Sequence, residues 1–251
     1  MKNPYLSVVI PSYNEMTNLK RGVLDNVLDY LKKQSYDWEL ILSDDGSNDG
    51  TAQELDKFAK KDKRIKVLHN VHAGKAPTVK SGMLSATGEW RLFTDFDQST
   101  PLKDVEKLLD YVDKGMEIMV GSREIVGSKR TKESFLRHLM GRVWNIIVQI
   151  LALPGFLDTQ CGFKLFSAKA TQDLYNSLYV YGKMEERRDA FTGAFDVELL
   201  YLALKKGYKV KEVPIHWIAY ESDRVSAVKD SLRMIKDIII IRISDLRGKY
   251  R

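Results

Sequence analysis

The sequence contains a single cysteine, Cys161, and lacks any long uninterrupted hydrophobic run. One cysteine cannot form an internal disulfide, which suits a reducing compartment. The nearest candidate for a membrane span, residues 143–153, is broken by Asn145 and Gln149 and falls short of the ~18 apolar residues that a spanning helix needs. Residues 5–10 are too short for a signal-peptide core. We therefore expect a cytoplasmic protein that is neither exported nor membrane-spanning.

Length and charge limit the architecture and the partners. A chain of 251 residues, 44% of them hydrophobic, is near the upper size for one hydrophobic core. We predict a catalytic domain over residues 1–225 and a basic amphipathic C-terminal helix over residues 226–251. The net charge of +6 favours phosphate-bearing substrates, anionic lipids or nucleic acids. A solvated basic surface without a specific partner explains the charge equally well.

Short β-branched runs alternate with segments of helical periodicity, which is typical of a mostly parallel α/β sheet. The runs are residues 6–10, 39–42, 65–68, 91–94 and 117–120. Between the first two, apolar spacing predicts one helix with Leu19 and Leu31 on its buried face. Thr51 and Glu54 have the spacing of a capping box, so we expect Thr51 to cap the next helix.

Polar sequence follows three of the predicted strands, at the edge where parallel sheets bind ligands. These segments are residues 11–15, 43–51 and 95–98. The carboxylates that they bring together repel one another unless a cation compensates. Asp95 and Asp97 are hard oxygen ligands that suit Mg²⁺ or Mn²⁺, with substrate phosphates completing the shell, and Gln98 is a further candidate ligand. An isolated Asp-x-Asp pair is usually a solvated loop, but the strand-end position favours a metal site.

Residues 8–15, 44–51 and 95–97, taken in order, resemble the motifs of family-two glycosyltransferases. The resemblance extends to about Arg224 and implies the GT-A nucleotide-sugar fold, a mostly parallel central sheet with helices on both faces. It also implies a nucleotide-sugar donor. The residues it assigns to donor binding are Pro11, Tyr13, Glu15, Asp45, Lys75, Asp95 and Phe96, and those it assigns to the metal are Asp95, Asp97 and Gln98.

A second set of motifs narrows the resemblance. Residues 121–123 and 158–166 resemble the polyprenyl-phosphate branch of the family, especially its dolichyl-phosphate glucosyltransferases, as do residues 195–200 and 214–217. This implies inverting transfer of glucose from UDP-glucose to a polyprenyl phosphate, which gives a β-linked product. GDP-mannose-dependent mannosyl transfer and transfer to another lipid or to a saccharide remain open alternatives.

The acceptor site is expected within residues 122–166, where basic and apolar residues mix. Guanidinium groups of Arg123 and Arg137 can bind a phosphate while their apolar neighbours border lipid. By resemblance, Arg224 and Ser226 are further candidates for phosphate contact. The alternative is that Arg123 pairs with a core carboxylate and that Arg137 lies on an exposed helix surface.

The chemistry requires little proton transfer, because a phosphate acceptor is already ionised near neutral pH. By resemblance, Asp158 lies near the acceptor phosphate, and we predict that Asp158 and Asp97 are catalytic. The alternative for Asp158 is a loop-bracing role. Asp196 and Glu198 are rival carboxylates, but their spacing of two on a helix points them in different directions.

Basic and apolar residues interleave over about residues 135–151 and again over residues 226–251. This predicts amphipathic helices that attach the protein to the cytoplasmic face of a membrane. A non-catalytic protein that binds through its basic surface is the alternative of another class. Asp95 and Asp97 would repel a polyanion at the strand ends, so we expect no nucleic acid partner. His69 and His72 lack further ligands at zinc spacing.

Overall fold

The computed structural model describes residues 3–131, 135–182, 193–220 and 227–250, with side chains described except at 135–140 and 227–231. Its strands are β1 (Leu6–Ser12), β2 (Trp38–Asp44), β3 (Ile65–His69), β4 (Trp90–Thr94), β5 (Ile118–Ser122), β6 (Lys129–Thr131), β7 (Phe163–Ser167), β8 (Val210–Pro214) and β9 (His216–Ile218). Its helices are α1 (Met16–Lys20), α2 (Val23–Lys32), α3 (Thr51–Ala59), α4 (Lys75–Ser85), α5 (Val105–Leu109), α6 (Phe135–Leu151), α7 (Ala168–Ser177), α8 (Phe195–Lys205) and α9 (Ala227–Leu246).

A seven-stranded sheet in the order β3-β2-β1-β4-β7-β5-β8 forms the centre of the fold. Strand β1 is parallel to β2 and β4, and β2 is parallel to β3. Strand β5 is parallel to β8, whereas β7 is antiparallel to β4 and β5. The expected mostly parallel sheet is therefore confirmed. Because β7 runs in reverse, its first residue, Phe163, lies opposite Thr94 at the carboxyl end of β4.

Helices cover both faces of the sheet, so the central strands are buried on both sides, as parallel strands require. Val9 of β1 faces the core that α4, α6, α7, α8 and α9 share, and its neighbours Val8 and Ile10 face the core formed with α2, α3 and α5. The period of two along the strand explains this division. Every residue of β1 and β2 is buried.

The structure corrects two predictions about the early helices. The helix expected to include both Leu19 and Leu31 is divided into α1 and α2, because Gly22 between them takes the left-handed φ of 70°. Thr51 is not a cap but the first residue of α3, after Gly50 at φ 96°. Its hydroxyl accepts a hydrogen bond from the Glu15 backbone N–H at 2.8 Å instead. The hydroxyl of Thr51 thus ties the β1 loop to α3.

The C-terminal helix α9 is packed into the main core. Ile238 and Ile241 are fully buried there, and α9 contacts α6 and α8. Strands β6 and β9 form a separate two-stranded parallel sheet. Across the helices that the structure describes, none is long and apolar enough to cross a membrane.

Candidate active site

The loops after β1 and β2 are held together at the carboxyl edge of the sheet. The Asn14 backbone N–H donates to Ser47 Oγ at 2.9 Å, and Asn48 N–H donates to Asn14 Oδ1 at 2.9 Å. Asn14 has φ 54°, a left-handed conformation that costs a non-glycine residue free energy. Gln98 after β4 has φ 51°. Backbone strain in the described residues is therefore concentrated at the edge where the ligand was predicted.

Asp45 fixes the start of α4. Its Oδ1 accepts from Ala73 N–H at 2.9 Å and from Thr78 Oγ1 at 2.8 Å, and its Oδ2 accepts from Gly74 N–H at 3.0 Å. His72 Nδ1 lies 2.9 Å from the same Oδ2. These contacts give Asp45 a scaffolding role that the sequence did not reveal, and its predicted role in nucleotide binding stays a prediction.

Tyr13, predicted to contact the nucleotide, stacks on His72. The two ring centroids are 4.2 Å apart and the rings are tilted by only 8°. Because a carboxylate only accepts hydrogen bonds, Asp45 favours the tautomer of His72 that carries its proton on Nδ1. His72 thus lies beside two residues, Tyr13 and Asp45, that were predicted to bind the nucleotide. Sequence reasoning had considered it only as a zinc ligand, since no pattern reveals a ring stack between residues 59 positions apart.

Pro11 in β1 and Glu15 after it, the other two predicted nucleotide contacts in this part of the chain, lie next to β2 and α3 respectively. Pro11 lies opposite Ser43 in the ladder between β1 and β2. Glu15 is 8% exposed, and its Oε2 accepts from Asn18 Nδ2 at 2.5 Å. The structure therefore brings Pro11 and Glu15 to the same strand ends as Asp45.

Asp95 and Asp97 follow β4 at this edge. Asp95 N–H donates to Gly162 O at 3.1 Å, and Asp97 Oδ1 accepts from Ser99 N–H at 2.8 Å. Phe96 between them is buried in the core. Burial, together with the neighbouring charge of Asp95, raises the pKa of Asp97. Two carboxylates whose charges repel each other in this way favour a compensating cation.

Gln98 turns its side chain back on β4. Its Nε2 donates to Asp95 O at 2.8 Å, and its Oε1 is buried without a hydrogen-bond partner. Within the described residues, no group of three His, Cys, Asp or Glu side chains has the arrangement of a metal site. Mg²⁺ and Mn²⁺ often need only one or two carboxylates, because phosphate oxygens and water supply the rest. Asp95 and Asp97 with the Gln98 amide oxygen therefore fit such a cation.

Gly162 sets the position of Asp95. A Cβ at Gly162 would lie 2.0 Å from Asp95 Oδ2, well inside van der Waals contact. This glycine belongs to the stretch 158–166 that resembles the polyprenyl-phosphate branch. The close approach explains why the residue just before β7 must lack a side chain where the backbone passes Asp95, which with Asp97 we call the acidic pair.

A row of alternating charges continues from the acidic pair across the sheet, and we call it the charged row. Its members are Asp97, Asp95, Lys75, Asp196, Lys164, Asp158 and Arg123. Lys75 Nζ lies 2.6 Å from Asp95 Oδ1. The fully buried Lys164 Nζ lies 2.5 Å from Asp196 Oδ1 and 2.6 Å from Cys161 O. Lys164, which sequence reasoning missed, therefore has an anionic partner inside the core.

Ionisation in the charged row depends on these partners. Burial alone would lower the pKa of Lys75, but the charges of Asp95 and Asp196 outweigh it, so the pKa is raised. Burial raises the pKa of Asp196 despite the opposing charges of Lys164 and Lys75. Burial also raises the pKa of the nearby Cys161 thiol to about 12, which makes it a poor nucleophile at neutral pH.

Asp158 and Arg123, both predicted at the acceptor, bind each other. Arg123 donates from Nε to Asp158 Oδ2 at 2.7 Å and from Nη2 to Oδ1 at 2.8 Å, and its backbone N–H donates to Oδ2 at 2.9 Å. Burial opposes ionisation of Asp158, but the charge and hydrogen bonds of Arg123 hold its pKa below the usual range. The pair matches the alternative of a core carboxylate partner for Arg123.

Asp196 and Glu198 point in different directions, as their spacing predicted. Glu198 accepts from the backbone N–H groups of Tyr179, Val180 and Tyr181, each within 2.9 Å. This is an anchoring role away from the acidic pair, whereas Asp196 belongs to the charged row. The Arg137 side chain, Arg224 and Ser226 lie outside the part of the chain that the structure describes, so their predicted roles remain predictions.

A cavity of about 320 Å³ opens beside Asp97 and Gln98 on the α2 side. Its floor includes Val23 and Leu102, and the guanidinium of Arg21 lies 4.0 Å from the ring centroid of Tyr220 at its wall. Its volume is in the range of small-molecule sites. Asp97 and Gln98 are therefore accessible from a preformed cleft.

Residues 7–175 match the sequence profile of glycosyl transferase family 2. The chain belongs to this family and is a glycosyltransferase. The dolichyl-phosphate β-glucosyltransferase of Dictyostelium discoideum is 35% identical to it, over 100% of this chain and 79% of that protein. The enzymes of the same name from Saccharomyces cerevisiae and Homo sapiens are 32% and 34% identical, each over 98% of this chain and 77% of their own length. These relatives confirm the family and the branch that the motifs indicated.

Solved structures confirm the GT-A-like fold of this family-2 chain. Mannosyl-3-phosphoglycerate synthase from Rubrobacter xylanophilus aligns with a TM-score of 0.66 at 16% identity, over 98% of this chain and 75% of that one. A mannosyltransferase from Pyrobaculum calidifontis, in complex with GDP-Man and Mn²⁺, aligns with a TM-score of 0.60 at 17% identity, over 98% and 65%. At these identities the likeness concerns the fold alone.

Proposed function

We propose that the protein transfers glucose from UDP-glucose to a polyprenyl phosphate such as dolichyl phosphate, with inversion to a β-linked product. The observation that carries this proposal is the near full-length similarity, at 32–35% identity, to the dolichyl-phosphate β-glucosyltransferases. The motifs of residues 121–123 and 158–166 support the same acceptor. An oxygen of the acceptor phosphate attacks the anomeric carbon from the face opposite UDP, and the bond from that carbon to the diphosphate breaks.

A divalent cation, Mg²⁺ or Mn²⁺, would be held by Asp95 and Asp97 with the Gln98 amide oxygen. When bound, it supplies charge neutralisation for the departing diphosphate. The Mn²⁺ in the Pyrobaculum neighbour supports this choice of cofactor. Lys75 contributes a further positive charge on the donor side, and Tyr13 and His72 offer aromatic rings to the nucleoside. The protein's part in catalysis is therefore orientation and electrostatic stabilisation.

The ion pair between Asp158 and Arg123 supports a joint role for these two residues at the acceptor. Asp158 is 4% exposed and has both oxygens bound to Arg123, so it is unsuited to accept a proton. A phosphate acceptor requires no such base, because it is already an anion. Asp158 instead orients the Arg123 guanidinium, whose side chain is 23% exposed and can present positive charge to the acceptor phosphate.

The proposed lipid acceptor and the exposed apolar residues of two helices support attachment to the cytoplasmic face of a membrane. On α6, Val143, Ile146 and Ile150 share one face and are 50% or more exposed. Among the described side chains of α9, Leu232 and Leu246 are the most exposed apolar ones, at 64% and 86%. Helices with exposed apolar faces flanked by basic residues bind the interface of anionic bilayers. Such a surface would bring the active site to the acceptor.

A single assay tests the donor and the acceptor together. Purified protein with Mn²⁺ is given radiolabelled UDP-glucose or GDP-mannose and one of three acceptors: polyprenyl phosphate, diacylglycerol or an oligosaccharide. We expect label from UDP-glucose alone, in the polyprenyl phosphate product alone. Transfer of mannose would show that the donor is GDP-mannose. Label in diacylglycerol or in the oligosaccharide would show that the acceptor is not a polyprenyl phosphate.

Vesicle flotation tests the membrane proposal separately. Wild-type protein should float with vesicles that contain phosphatidylserine, and binding should weaken with added salt because surface electrostatics are screened. The double substitution Ile146→Ser and Ile150→Ser should reduce flotation, and circular dichroism should show that the variant is folded. Equal flotation of wild type and variant would show that this face of α6 does not contact the membrane.

A further inference from the structure

The ammonium of Lys75 contacts the Asp95 carboxylate, which the proposed divalent metal requires as a ligand. Its Nζ lies 2.6 Å from Asp95 Oδ1, and the two side chains are 27% and 36% exposed. The Lys164 and Asp196 pair, by contrast, lies inside the core, with Lys164 fully buried. The Lys75 pair is therefore open to incoming ligands, whereas the Lys164 pair is a fixed part of the core.

Charge balance explains why Lys75 lies there. The charged row contains four carboxylates and three cations. Lys164 pairs with Asp196 and Arg123 pairs with Asp158, so Lys75 is the cation of the row that compensates Asp95 and Asp97. Without an ammonium or a metal nearby, those two carboxylates would repel each other in a partly buried site.

An ammonium and a divalent cation compete for the same oxygen. Both are attracted to Asp95 Oδ1, and like charges repel at this distance. We propose that Lys75 is the resident counter-cation of Asp95, that divalent metal displaces it, and that it then binds the diphosphate of the donor. Metal and nucleotide consequently bind cooperatively. The identity of the nucleotide rests on the proposed function, but the competition at Asp95 does not.

The local structure allows this exchange without movement of the backbone. Lys75 is the first residue of α4, and Asp45 holds the preceding Ala73 and Gly74 N–H groups in place. The four-carbon stem of lysine can move its ammonium from Asp95 to a neighbouring diphosphate by changing rotamers.

The proposal predicts the direction in which removal of Lys75 changes the affinity for metal, both without and with nucleotide. If Lys75 competes with metal, its removal strengthens metal binding in the absence of nucleotide. If Lys75 also binds the diphosphate, its removal weakens the increase in metal affinity that nucleotide produces. Coupling is reciprocal, so the same variant should show a smaller effect of metal on nucleotide affinity.

The test measures Mn²⁺ binding by the loss of the free-ion EPR signal, with no sugar and no acceptor present. Wild type is compared with Lys75→Met and Lys75→Gln, which remove the charge, and with Lys75→Arg, which retains it. Lys33→Met removes an exposed lysine at the end of α2 and is the charge-matched control. Each protein is titrated alone and with saturating UDP. Circular dichroism confirms that each variant is folded.

We expect Lys75→Met and Lys75→Gln to bind Mn²⁺ more tightly than wild type without UDP, on the order of tenfold, and to gain less from UDP. Lys75→Arg and Lys33→Met should resemble wild type. Equal or weaker Mn²⁺ binding by both neutral variants would overturn the proposal, as would the absence of saturable Mn²⁺ binding in every protein. Failure of glucose transfer alongside the expected metal coupling would refute only the proposed function.

Discussion

Arg123 and Asp158 form a two-point ion pair, with Nε to Oδ2 at 2.7 Å and Nη2 to Oδ1 at 2.8 Å. Truncation of one member leaves the other charge poorly compensated, so Asp158→Ala should lower the free energy of unfolding by about 3 kcal/mol. The double variant with Arg123→Ala should lose less than the two single variants combined. Urea unfolding of the four proteins measures this, and strict additivity would contradict the pairing.

The same pair predicts a pH dependence of stability. The pKa of Asp158 is lower in the folded protein than the ordinary value of about 3.9 that applies when unfolded. Its contribution is therefore complete above about pH 4 and is lost as the pH falls through the folded-state pKa. The stability difference between wild type and Asp158→Asn should be constant from pH 7 to pH 5 and shrink at lower pH. A difference that already shrinks between pH 7 and pH 6 would indicate a raised pKa.

Gly162→Ala should weaken metal binding, because the new Cβ would lie 2.0 Å from Asp95 Oδ2 and force that carboxylate away. We expect Mn²⁺ affinity to fall by at least tenfold, with a similar loss of transfer. Gly141→Ala is the control, since a Cβ there meets no atom within 4 Å. Retention of wild-type Mn²⁺ affinity by Gly162→Ala would exclude Asp95 as a ligand.

His72→Ala should weaken UDP binding several-fold, because it removes the ring that stacks on Tyr13 and the group that contacts Asp45. His69→Ala is a matched control: His69 contacts only the exposed Asp56 among the described pairings, at 3.0 Å. Isothermal titration calorimetry with UDP measures both. If the two variants bind UDP equally well, His72 has no part in the donor site.

Much of the sheet could be predicted from the sequence, because β1 to β5 are short β-branched runs with polar residues at their ends. Strand β7 was missed. Lys164, its second residue, interrupts the apolar pattern. The ion pair with Asp196 that allows burial of this lysine joins residues 32 positions apart. The break between α1 and α2 was also missed, since apolar periodicity continues through Gly22 while its left-handed backbone ends the helix.

The candidate site was likewise predictable only in part: the positions of its residues could be predicted, but their contacts could not. The order of the motifs predicted that Asp95, Asp97 and Tyr13 lie at one edge of the sheet, because the carboxyl ends of parallel strands meet there. The partners of these residues depend on three-dimensional packing: Lys75 on Asp95, His72 on Tyr13, and Arg123 on Asp158. Sequence spacing carries no information about such contacts between distant elements.

The most direct test of the account is metal-dependent transfer of glucose from UDP-glucose to polyprenyl phosphate, with wild type compared with Asp97→Asn. We predict a glucosyl lipid from wild type with Mg²⁺ or Mn²⁺, a β-anomeric linkage by NMR, and at least a hundredfold loss of rate in the folded variant. An α-linked product, or equal rates in wild type and variant, would contradict an inverting transfer that depends on the acidic pair.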